Sequence, residues 1–313
     1  MPFKNLSGPR KVGELSAEVR ASAYLASPGL VAMLTTDPVR LSVHPAGTTS
    51  CKITTLSLVG ADHVALLSRD VALVRATDDA VWALFDITHT AKLEQVASDI
   101  RALAMRPAGG SALALGWDGS ATLLTQNRHE IDARTFSLRG DVRAVDLTDD
   151  ETYALMGGAD GPQLRVHPGD TPEAAVRTRV QLPAEASTFD RIRGGAKLSA
   201  VYRRGGRSVC LIAGGQARGS AKMVELEADA ADIAVLDTSL FAVFADGRAA
   251  LYDADAIARA DDGGPIEARS AIALGARGQP RSITLPNKGS PVLWVGTSGG
   301  DVVSVTVLRK TGI

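Results

Sequence analysis

The sequence predicts an all-β fold built from a repeated antiparallel unit. Three observations point there. Apolar runs of five to eight residues, rich in Val, Leu and Ala, follow one another along the chain; that is strand length and strand composition. Gly and Asp punctuate these runs at short intervals. The punctuating pairs recur at a nearly constant spacing, which marks a repeat architecture.

The turns come in order. Asp37-Pro38 follows V-A-M-L-T-T, Asp78-Asp79 follows V-A-L-V-R-A-T, and Asp118-Gly119 follows A-L-A-L-G-W. Asp160-Gly161 follows Y-A-L-M-G-G-A, and Gly205-Gly206 follows L-S-A-V-Y-R-R. Asp246-Gly247 follows L-F-A-V-F-A, and Gly299-Gly300 follows V-L-W-V-G-T-S. The spacings are 41, 40, 42, 45, 41 and 53 residues. Asp-Gly and Gly-Gly tolerate positive φ and so suit two-residue hairpin turns. Asp37-Pro38 suits that geometry least.

Two local echoes support the period. L-S-V-H-P-A-G-T, from Leu41, returns as L-R-V-H-P-G-D-T, from Leu164, which is 123 residues or three periods of 41 later. A-L-F-D, from Ala83, returns as A-L-Y-D, from Ala250, 167 residues or four periods of about 42 later. Both pairs fall just after a turn, on the third strand of a unit.

Units of about 42 residues ordered strand–strand–Asp-Gly–strand–strand resemble the WD-repeat class of β-propellers. Residues 99–140 carry the likeness best. Phe85-Asp86 and Tyr252-Asp253 stand where that class has Trp-Asp, while Trp117-Asp118 sits at the turn. The resemblance implies one domain over residues 1–313: a seven-bladed β-propeller of four-stranded antiparallel blades. The blades would run at 19–60, 61–98, 99–140, 141–185, 186–229, 230–277 and 278–313. The last has room for three strands, ending at V-V-S-V-T-V-L. Its missing outer strand is expected from residues 11–17, which would close the ring and remove its open edge. The 53-residue spacing is an insertion at residues 254–269. There D-A-D-A-I-A-R-A is expected to make one or two helical turns before D-D-G-G-P breaks them.

Composition narrows the partners. At 45% hydrophobic the chain can bury a sizeable core. A net charge of -1 gives no field to attract nucleic acid or a membrane surface. Aromatics at 4% leave few stacking platforms for single strands or sugars. Cys51 and Cys210 lie in apolar runs and read as reduced, buried thiols, not as a disulfide framework. The start M-P-F-K-N-L-S-G-P-R-K lacks an apolar signal core, and no run of 18 apolar residues exists. A cytoplasmic protein is expected. The abundance of Ala, Gly and Arg resembles proteins of bacteria with GC-rich genomes.

The candidate binding feature is an arginine recurring where units begin: Arg20 in E-V-R-A, Arg101 in D-I-R-A, Arg143 in D-V-R-A, Arg191 in F-D-R-I and Arg281 in Q-P-R-S. In a propeller, the resemblance implies, this segment enters the innermost strand beside the central channel. Five guanidiniums would then circle one mouth and could hold a phosphate or an acidic peptide. The alternative is structural pairing. Glu18, Asp99 and Asp141 precede an arginine by two residues and Asp190 by one, so the acids could brace the blades and cancel the field.

Other motifs read as scaffold. His44 and His167 are three units apart, so they would face opposite sides of a ring and cannot share a metal. His63, His89 and His129 show no ligand spacing. Asp253, Asp255, Asp261 and Asp262 do not match a calcium loop. Gly214-Gly215 and the run at residues 296–300 lack the helix and lysine of a phosphate loop. Arg203, Arg204 and Arg207 form a basic cluster at a turn.

No catalytic motif is present, and no cofactor is called for. The expected function is a non-catalytic protein-interaction scaffold or adaptor. Its partner would be a protein, through an acidic segment or as part of a multi-protein complex. The alternatives are a propeller hydrolase or lyase with its site in the channel, and a structural subunit of a larger assembly.

Overall fold

The computed structural model describes residues 3–45, 51–87, 92–138, 140–169, 176–214, 220–285 and 291–309. Strand β1 (Phe3–Glu14) opens the chain. Then β2 (Val19–Leu25), β3 (Leu30–Thr35), β4 (Arg40–Pro45) and β5 (Lys52–Thr55) form one sheet in sequence order. The next sheet is β6 (Ala61–Leu66), β7 (Val71–Ala76), β8 (Val81–Phe85) and β9 (Lys92–Ala97). It is followed by β10 (Ile100–Met105), β11 (Ser111–Gly116), β12 (Ser120–Asn127) and β13 (Glu130–Ser137). The fourth is β14 (Val142–Leu147), β15 (Glu151–Met156), β16 (Gln163–Pro168) and β17 (Thr178–Gln181).

A larger sheet comes next. It joins β18 (Arg191–Arg193), β19 (Leu198–Tyr202), β20 (Gly206–Ala213), β21 (Ala221–Leu236), β22 (Ser239–Phe244) and β23 (Arg248–Tyr252). The short β24 (Gly264–Pro265) lies parallel to β21, and β25 (Ser270–Ala273) ends the sheet beside β23. Finally β26 (Pro280–Thr284), β27 (Val292–Thr297) and β28 (Asp301–Arg309) form a sheet completed by β1.

The architecture is thus an all-β propeller, but five separate four-stranded blades stand where seven were expected. The reason lies in β21. Its 16 residues contain no Gly or Pro, so nothing interrupts the strand at the expected boundary of 229 and 230. Residues 221–225 pair with β20, which also meets Ala230 through Gly206, and residues 230–236 pair with β22. The outer strand of one four-strand set therefore continues as the first strand of the next. At the N-terminus, β1 pairs antiparallel with β28 over residues 3–14, a longer and earlier strand than residues 11–17.

The turns also differ from the expected two-residue type. Three residues separate β11 from β12, β22 from β23 and β27 from β28, and four separate β7 from β8. In each, the third loop residue donates its N–H to the carbonyl three residues back, as Gly119 does to Gly116. Gly119 carries the positive φ, +79°. This is a type I turn followed by one left-handed residue. It needs positive φ at one position only, which is why Asp79, at φ 65°, can serve in the β7–β8 turn.

Stability comes from seams between neighbouring sheets. Leu34, Leu41, Leu66 and Leu84 pack β3 and β4 on β6 and β8. Leu113, Leu115, Val142 and Met156 join β11 to β14 and β15. Phe241, Leu251, Val295 and Val303 join the large sheet to the β26–β28 sheet, and Phe3 of β1 is buried with them. A further cluster of Val19, Val31, Met33, Trp294 and Val302 packs β2 and β3 against β27 and β28. Each strand face is sealed only by the next sheet, the energetics of a repeat array. The insertion forms α1 (Ala254–Arg259), whose N-terminus is capped by Asp253 accepting from Ala256 N at 2.9 Å. A 3-10 helix at Ala184–Thr188 precedes β18 and was not anticipated.

Candidate functional site

The first strands β2, β6, β10, β14, β18 and β26, with the second half of β21, line one cavity of about 1040 Å³. They share a local irregularity. An extra residue interrupts the pairing between Val19 and Ala21, Ala61 and His63, Ile100 and Ala102, Val142 and Ala144, Ala230 and Asp232, and Pro280 and Ser282. Such bulges re-aim side chains next to a rim. The extra residues are Arg20, Asp62, Arg101, Arg143, Ala231 and Arg281. The recurring arginine is therefore a bulge residue in four places. Arg191 is not: it pairs directly with Tyr202. It stands two residues after buried Phe189, as His63 stands after Ala61 and Asp232 after Ala230.

The five arginines do not all line the cavity. Arg20 and Arg191 line the cavity; Arg101, Arg143 and Arg281 do not. Glu18 takes both Arg20, at 3.2 Å, and Arg281, at 2.9 Å, across the junction of β2 and β26. Asp141 accepts from Arg143 Nε at 3.3 Å. Arg101 donates instead to the carbonyl of Val142 and lies over the Trp117 ring at 6.0 Å; burial lowers its pKa. Arg191 makes no side-chain hydrogen bond or ion pair to any described residue. Arg20, Arg143 and Arg281 each pair with an acid, whereas Arg101 and Arg191 have no ion pair to a carboxylate among the described residues.

Sequence reasoning missed Arg75. It comes from β7 and is buried. Its Nη1 donates to both Asp62 oxygens, at 2.6 and 2.5 Å, and its Nη2 pairs with Asp79. In the β6–β9 sheet the charges are swapped: the bulge carries the acid and the neighbouring strand the arginine. Burial pushes the Asp62 carboxyl up, but His63 and Arg75 outweigh it and bring its pKa to about 2. His63 Nδ1 lies 2.8 Å from Asp62 Oδ1. Asp79 also accepts from Trp117 Nε1 at 2.9 Å. Trp117 is nevertheless 60% exposed, and Val59, whose carbonyl accepts from Thr77 Oγ1, is 90% exposed.

A second network crosses the seam between the large sheet and β26. Buried Asp232 accepts from Tyr202 Oη at 2.6 Å, Arg193 Nη2 at 3.2 Å, Ile233 N at 3.0 Å and Ile283 N at 3.1 Å. Burial raises its pKa, but Arg193, Arg204, Tyr202 and the Ile283 N–H outweigh that and leave it lowered. Asp146 accepts from Gly194 N at 2.7 Å, and burial holds its carboxyl above the usual range despite Arg193. The signal that could have found this set is positional. Ala21, His63, Ala102, Ala144, Arg191, Asp232 and Ser282 occupy one repeat position, and three of them are ionisable.

The remaining candidates are built into the scaffold. His44 is fully buried in β4 and His167 nearly so in β16. His89 and Gly215 lie outside the described residues. Asp253 is the α1 cap and is 3.8 Å from Arg269. Arg207 pairs with Asp229 at 3.2 Å, and Arg204 reaches the carbonyls of Ala231 and Arg281. Cys51 and Cys210 are free thiols; Cys51, expected to be buried, is exposed, whereas Cys210 is buried and its thiol is pushed up to about 12. Among the described residues, no group of three or more His, Cys, Asp and Glu could hold a metal ion, and no helix is long and apolar enough to cross a membrane.

No family model matches the chain, and no curated protein matches it in sequence.

Proposed function

We propose that the protein is a non-catalytic interaction scaffold, a seven-bladed ring that captures a protein partner on the face carrying Trp117. The count of seven is supported by β21, whose halves serve two four-stranded sets. Closure is supported by the β1–β28 pairing and by β2 packing beside β26. The large sheet is then two blades fused through one strand, still resembling the WD-repeat class.

The observation that carries the functional reading is Trp117. It is 60% exposed, yet Asp79 holds its indole N–H and Arg101 lies over its ring. A large aromatic fixed in place beside an arginine loses little entropy on binding, and such residues dominate interface energies. Val59 adds apolar surface on the neighbouring loop, joined to the β7–β8 turn through Thr77. Arg101 and Arg191, which pair with no carboxylate among the described residues, favour a partner that brings an acidic segment.

The test compares affinity capture from native lysate by the wild-type protein and by Trp117→Ala and Arg101→Ala variants with unchanged melting temperature. A specific set of proteins that falls away with both variants supports the reading. Identical capture by all three overturns it.

A further inference from the structure

The cavity between the first strands holds a charge arrangement that face binding does not use. Arg191 enters its wall from β18 and makes no side-chain hydrogen bond or ion pair to a described residue. Three carboxylates of the cavity wall are occupied. Asp62 is taken by Arg75 and His63, Asp232 by Arg193, Tyr202 and two backbone N–H groups, and Asp146 by Gly194 N. His63, on β6, belongs to a different sheet from β18, yet the Arg191 charge helps to lower its pKa, after burial. Arg191 and His63 both border the cavity. With Nδ1 turned to Asp62, His63 presents Nε2 as an acceptor.

We propose that the channel binds a small organic dianion, carrying phosphate or carboxylate groups, through the guanidinium of Arg191, with His63 Nε2 accepting from a ligand hydroxyl. Arginine presents a planar fork of donors that matches both groups. The cavity, about 1040 Å³, has the size of a small-molecule site. Asp190, the preceding residue, also borders the cavity and makes no ion pair with a described residue. It limits affinity and favours ligands that also carry a hydroxyl.

Titration calorimetry with inorganic phosphate, citrate and glycerol 3-phosphate tests the site. Binding of at least one is expected, weakened about tenfold or more in Arg191→Ala, partly restored in Arg191→Lys, and tightened severalfold in Asp190→Asn. Glycerol 3-phosphate above phosphate would identify a phosphate ester, and citrate above both a carboxylate ligand. Because Arg191 bonds to nothing described, the variants are expected to melt with the wild type; should Arg191→Ala fail to fold, the Lys and Asn variants decide. Trp117→Ala is expected to leave all these affinities unchanged, so failure of the face reading and of the channel reading remain separable. No binding at millimolar concentrations, or binding indifferent to Arg191 and Asp190, would overturn the proposal.

Discussion

His44 of β4 lies against Trp294 of β27, with ring centroids 5.6 Å apart and planes tilted by 50°. The contact spans the seam between the first complete sheet and the last. Gly13 of β1 makes room for it: a Cβ there would stand 3.2 Å from His44 Cε1. His44 is fully buried, and its Nε2 is 3.1 Å from Ser42 Oγ.

That seam is expected to be acid-sensitive. Burial lowers the His44 pKa from 6.5 to about 4. Between those values the unfolded chain takes up the proton and the folded chain does not. Stability is therefore full above pH 6.5 and falls as the pH drops toward 4. His44 alone accounts for about 2–3 kcal/mol of the loss by pH 4.5. Denaturant melts at pH 7 and pH 4.5 should show a smaller difference for His44→Phe than for the wild type. An equal difference would remove His44 from the account.

The N-terminal strand is expected to be essential. Phe3 is fully buried, 5.7 Å from the Phe241 ring, and Leu6 and Val12 are buried with it. Lys11 and Arg277 both pair with Asp301, at 2.8 and 3.1 Å. Phe3→Ala should cost about 3–5 kcal/mol, and deletion of residues 1–18 should cost more because it also bares one edge of β28. Thermal melting checks both; an unchanged transition after the deletion would contradict the role assigned to β1.

Asp232→Asn should loosen the join between the large sheet and β26. Breaking a buried ion pair costs about 3–5 kcal/mol. Arg193 keeps 39% side-chain exposure, so about 2–4 kcal/mol is expected here. Tyr202→Phe removes one of the four hydrogen bonds and should cost about 1–2 kcal/mol. Urea midpoints of the two variants should fall in that order.

The repeat was legible because its signals are local. The turn pairs and the His-Pro echoes lie on adjacent residues, and the D-A-D-A-I-A-R-A stretch contains α1. What escaped was set by pairing between distant segments. Nothing within β21 announces that one strand serves two partners, since apolar and charged residues simply continue from Ala221 to Leu236. The arginine pattern was visible, but its meaning depended on register. A one-residue bulge places Arg20, Arg101, Arg143 and Arg281 differently from Arg191. The partners were equally distant: Glu18 holds Arg281, and Asp62 holds Arg75. Counting acids two residues before an arginine finds neither.

Trp117→Ala is expected to change stability by less than about 1 kcal/mol, because the ring is mostly exposed. Far-ultraviolet circular dichroism and melting should match the wild type. A large loss would mean that Trp117 is part of the scaffold and not a contact held ready for a partner.

Hydrogen–deuterium exchange on the captured complex tests the scaffold reading most directly. Binding at the Trp117 face should slow exchange at residues 57–62, 77–80, 99–102 and 117–120, with the outer strands β5, β9, β13 and β17 unchanged. Protection confined to those outer strands, with the Trp117 loop exchanging as in the free protein, would contradict it.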